Sequence, residues 1–97
     1  MNKSADAYER LAEYWAETRG HPLDLPALLE LRARSRAFAF ACRSDGAADR
    51  TIDLEDWAQL LYSDPDATHP GRRAAIEGVI EAILRDIRKL AVPQAAA

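Results

Sequence analysis

Apolar residues recur at helical spacing in four blocks of the chain. In the first, Tyr8, Leu11, Ala12 and Trp15 lie three or four apart, which gathers them on one side of a 3.6-residue helix. Asp6 and Glu9 stand at capping-box separation, and Gly20 and Pro22 supply a stop, so a helix is predicted over 6–19. Asp24 has N-cap chemistry, Pro26 fits a first turn, and Leu23 with Leu28 occupies the two positions of a hydrophobic staple. A second helix is therefore predicted from 25, and nothing breaks it before Ser44-Asp45-Gly46, giving 25–44. A strand competes over Ala37 to Cys42, where large and small residues alternate, with a return through the Asp-Gly pair toward Thr51-Ile52. Helix is the reading adopted, because alanine favours it and a lone hairpin has little to pack against.

Asp53 with Asp56, and Ile52 with Trp57, reproduce the cap and staple spacings once more, predicting a third helix over 54–62. Leu54, Trp57, Ala58 and Leu61 share its inner side, and Ser63-Asp64-Pro65 ends it. After a polar connection, Thr68 or His69 can cap a fourth helix with Pro70 in its first turn. Ile76, Ile80, Ile83, Ile87 and Leu90 step by fours and threes, and Pro93 stops the run, giving 70–91. Residues 94–97 are expected to fray. The pattern predicts a compact all-α domain of four helices, with 1–97 forming a single unit and the second helix central.

That centrality follows from the second helix being apolar on two sides. At about 100° per residue, Leu28, Leu31, Phe38 and Cys42 fall on one flank and Leu29, Ala33, Ala37 and Phe40 on the other. A helix of this kind is buried twice over, or offers one stripe to a second protein molecule. Between the stripes run Arg32, Arg36 and Arg43, which share one side and form an arginine ridge. No acid occurs from Leu31 to Ser44, whereas Asp45 to Asp66 is densely acidic. The ridge either pairs internally, with the Glu9-Glu13-Glu17 face of the first helix as the obvious candidate, or stays solvated, or docks carboxylates or phosphates, which suit arginine's planar fork.

Composition narrows the function classes. The chain has 97 residues, 48% apolar and 30% charged, with a net charge of −3, an ordinary globular make-up. The negative balance argues against general nucleic-acid binding, which needs a basic surplus. No apolar run approaches the ~18 residues of a membrane span, and no signal-peptide pattern opens the chain. With Cys42 as its one cysteine, the chain forms no internal disulfide, and a reducing, cytoplasmic setting is expected. So short a chain is marginally stable alone, so burial against another protein or a second copy, as a homodimer, is expected.

Catalytic and metal chemistry finds few supports. His21, Cys42 and His69 are scattered over three segments without short-spaced partners, and each reads as structural. Glu77 and Glu81 are a turn apart but are expected on the solvent side of the fourth helix, paired with Arg85 and Arg88. Thr68 to Arg73 offers a helix start with two arginines, suited to an anion, although the simpler expectation is that both arginines point to water. Trp57, Leu60 and Tyr62 exceed what one inner face needs; core packing is the default, and an interface anchor the alternative. The expectation is a non-catalytic protein–protein interaction module, a small cytosolic regulator, adaptor or inhibitor (of the antitoxin or phage type, or an accessory subunit), needing no cofactor or metal. Its expected contact residues are Arg32, Arg36, Arg43, Trp57, Leu60 and Tyr62. The alternatives are a nucleic-acid-associated module acting through the local arginines, Arg50 included, and a small enzyme or metal site using His21, Cys42 or His69.

Overall fold

Two of the helices begin where a short polar side chain, Asp24 or Ser44, accepts a free backbone N–H group. A computed structural model describes residues 3–64 and 69–91. Its helices are α1 (Lys3–Thr18), α2 (Leu25–Cys42), α3 (Asp45–Ser63) and α4 (Pro70–Ala91). Pro65, Thr68, Pro93 and the tail 94–97, on which several of the expectations above rest, lie outside the described residues.

The limits of α4 are those predicted, and α1 starts one turn earlier than its Asp6 signal. For α2, Asp24 caps as expected, its Oδ1 accepting from Ala27 N at 2.9 Å, and Leu23 packs against the core that contains Leu28. The helix runs through 37–42, so the strand alternative is excluded. It closes with Arg43 in the left-handed region, φ 53° and ψ 42°, its N–H bonded to Ala39 O.

The largest departure is α3, which begins at Asp45 and not at 54. Ser44 is the cap, its Oγ accepting from Ala47 N at 3.4 Å, and Asp45 adds negative charge in the first turn, where the helix dipole favours it. Asp-Gly therefore opens a helix here, and Asp53 sits mid-helix, bound to Arg50 at 2.8 Å. Thr51, part of the return strand only in the hairpin alternative, is buried in α3 with its Oγ1 donating to Ala48 O, which satisfies the hydroxyl within the helix. Ala47, Thr51, Leu54, Ala58 and Leu61 thus form one continuous inner stripe.

Contacts between helices show four antiparallel neighbours closing into a ring. Tyr8 meets Phe38 edge to face at 6.2 Å, joining α1 to α2. Arg36 reaches Glu55 from α2 to α3, and Arg50 reaches Asp86 from α3 to α4. The ring closes where Ser4 Oγ donates to Ala91 O at 3.2 Å, start of α1 to end of α4. The domain measures 44 × 23 × 22 Å, its long axis set by the helices. Leu11, Leu28, Leu31, Phe38, Leu54, Ile80 and Ile87 are almost fully enclosed between them.

The second helix is central only in lying between α1 and α3. One of its two apolar stripes is buried, through Leu28, Leu31 and Phe38, while Leu29 is 51% and Phe40 76% exposed. On α4 the inner stripe ends at Ala91, leaving Leu90 exposed. A straight helix has 3.6 residues per turn, so by the last turn a strict heptad step has drifted off the core-facing side.

Candidate interaction surface

The arginine ridge lies along the shoulder where α2 faces α3. Arg36 donates in a fork to Glu55, Nε to Oε2 at 3.4 Å and Nη2 to Oε1 at 3.2 Å. Arg32, one turn earlier, holds its Nε 3.7 Å from the same Oε1. The internal partner is therefore Glu55 of α3, and not Glu9, Glu13 or Glu17, which are exposed and carry no ion pair among the described residues. Antiparallel packing of α2 on α3 decides this, because α1 flanks the opposite side of α2. Glu55 was missed in the sequence; the available signal was the acid-free stretch of α2 followed by an acid-rich α3 joined through only two residues.

Arg43 does not belong to the helical ridge. It occupies the left-handed cap, with its guanidinium 6.0 Å from the Phe40 ring centroid and no acidic partner among the described residues. The outer side of α2 thus shows Leu25, Leu29, Arg36 and Phe40 within an arc of roughly 60° at ~100° per residue, with Arg43 at its end. Leu25 at 48%, Leu29 at 51% and Phe40 at 76% exposure are large apolar side chains in water on the side opposite the core.

Alongside, α3 presents Asp45, Asp49, Ile52 and Asp56 within a similar arc of roughly 60°, all exposed. None of the three aspartates has an ion pair among the described residues. Sequence reasoning placed 45–52 outside any helix, which hid this stripe.

Trp57, Leu60 and Tyr62 do not form one patch. Trp57 and Leu60 are half-buried against the core, whereas Tyr62 is exposed. Five residues turn a helix by about 140°, so Trp57 and Tyr62 leave α3 on different sides.

Glu77, Glu81, Arg72 and Arg73 make contacts within the chain. Glu81 accepts from Trp15 Nε1 at 3.2 Å and pairs with Arg19 at 2.9 Å. Glu77 accepts from Gly20 N and from Arg73 Nε, each at 3.1 Å. Both glutamates therefore clasp α4 to the end of α1 and its following turn, instead of pairing with Arg85 and Arg88. Gly20, at φ 83°, gives that turn a backbone conformation L side chains rarely adopt. Arg73 also donates to His21 O, and Arg72 pairs with Asp64 at 2.5 Å, so neither points freely to water or to an anion. His21 and His69 are exposed, and Cys42 is half-buried with its Sγ 3.7 Å from Leu90 O. No group of three or more His, Cys, Asp or Glu is placed to hold a metal ion among the described residues, and no described helix is long and apolar enough to cross a membrane.

A groove between α1 and α2 is lined by Lys3, Asp6, Arg10, Glu30 and Arg34. Arg34 occupies it, donating to Glu30 at 2.6 Å and to Arg10 O at 2.7 Å while stacking over Tyr14. Its charge is spent within the chain.

Compared with known proteins, the chain matches no family model, no curated sequence and no solved structure.

Proposed function

We propose that this chain is a protein-interaction module, a regulator, adaptor or inhibitor, working through the outer face of α2. The observation that carries this reading is the row Leu25, Leu29 and Phe40, exposed opposite the core and interleaved with arginine. A row of large apolar groups exposed on one helix marks an interaction site, and phenylalanine and arginine are both enriched in interfaces. Reading nucleic acid through the arginines is the weaker alternative, since Arg32 and Arg36 already face Glu55 and the chain is acidic.

The test is capture from native extract by the wild-type chain and by a Leu29→Glu/Phe40→Glu variant. A protein retained in stoichiometric amount by the wild type and lost from the variant supports the reading. Identical captures overturn it. Recovery of nucleic acid alone, falling steeply with salt, would favour the alternative.

A further inference from the structure

We propose that the α2–α3 face binds a second copy of this chain, forming a two-fold dimer in which each α2 lies across the partner copy's α3. This rests on the α2 face being an interaction surface and names its occupant. Two adjacent outer stripes carry the inference. That of α2 is apolar and basic, through Leu29, Arg36 and Phe40, with Arg43 at its end; that of α3 is acidic around one apolar residue, through Asp45, Asp49, Ile52 and Asp56. Each side lacks a full complement within its own molecule. Among the described residues the three aspartates have no ion pair and Arg43 has no acidic partner, and the Arg36 side chain remains 70% exposed despite its contact with Glu55.

The two stripes are complementary to each other, and an isologous contact requires a patch that is complementary to itself. A two-fold axis parallel to the helices, running between α2 and α3, exchanges their positions without changing height. Each α2 then meets the partner copy's α3 in the same antiparallel register that Arg36 and Glu55 mark within one chain. At that register Phe40 comes over the level of Ile52 and Asp49, and Arg36 and Arg43 come against the aspartate row. Apolar side chains at 76% and 56% exposure are covered together, and unlike charges oppose across both halves. The bundle face, 44 by 23 Å, matches in size the ~800 Å² that each partner contributes to a standard interface.

Light scattering from micromolar to millimolar concentration at low salt should give twice the 10.8 kDa of one chain. Phe40→Asp should weaken the dimer by about a hundredfold or more with the helical circular dichroism unchanged. A charge-reversed pair gives the decisive readout. Asp49→Lys/Asp56→Lys and Arg36→Glu/Arg43→Glu should each be monomeric alone and form a one-to-one dimer when mixed. The aspartate variant touches no internal pair, so its folding does not depend on Glu55. A wild-type chain that stays at 10.8 kDa overturns the dimer, as does a dimer that ignores Phe40→Asp or a charge-reversed mixture that fails to associate while both variants are folded. A monomer that still captures another protein through Leu29 and Phe40 would overturn the dimer alone, leaving the wider reading of α2 standing.

Discussion

Tyr8 shows how packing alters the chemistry of one side chain. It lies on the core against Phe38, and burial raises its phenol pKa above 10.0, with the Arg88 guanidinium pulling the other way. Tyr14 is raised as well, by burial first and then by Glu30 and Asp24. A raised pKa in the folded state means the unfolded chain ionises first as pH climbs. The stability these phenols contribute is complete below about pH 10 and is lost as pH rises through their folded values. Urea midpoints should be insensitive to these residues up to about pH 9 and fall above about pH 10. Tyr8→Phe should make that fall shallower, and Tyr8→Phe/Tyr14→Phe shallower still; a decline as steep as in the wild type would contradict the assignment.

Among elements, α4 carries a residue that weakens it without visible need. Gly78 sits on its exposed side, and a Cβ built there meets nothing within 4 Å. Glycine within a helix costs about 0.5–1 kcal/mol relative to alanine. Gly78→Ala should therefore raise the melting temperature by roughly 2–8 °C, at about 4–8 °C per kcal/mol for a domain of this size. Calorimetry checks this, and an unchanged or lower melting point would mean that the open space at Gly78 is used. Gly20 makes the contrast, since its φ of 83° serves the turn whose N–H binds Glu77.

For the whole molecule, closure of the ring between α1 and α4 is the step that turns a chain of hairpins into a bundle. Glu81 is its polar clasp, accepting from the indole of the nearly buried Trp15 and from Arg19. Glu81→Ala leaves that indole N–H without its acceptor, which costs about 1–3 kcal/mol when the group is buried. The melting temperature should fall accordingly, while Glu81→Gln, which keeps an acceptor oxygen, should recover most of the loss. Equal losses for both variants would assign the effect to charge alone.

What the sequence determined by itself was local: the Asp24 cap, the Pro70 start, the period that identified α4, and the doubly apolar character of α2. Caps act within one turn and an apolar period within two or three, so neighbouring residues suffice to read them. Even so, Ser44-Asp45-Gly46 is compatible with a turn or with a helix start. The choice falls to the helix because Ala47, Thr51 and Leu54 can then join one buried stripe. Tertiary structure alone decided that Arg32 and Arg36 face Glu55, that Glu77 and Glu81 turn toward α1, that Ala91 replaces Leu90 at the core, and that Trp57 and Tyr62 part. Each depends on which helices are neighbours and on how far each is rotated about its axis. Those quantities are set by simultaneous packing of all four inner stripes, which no single segment of sequence contains.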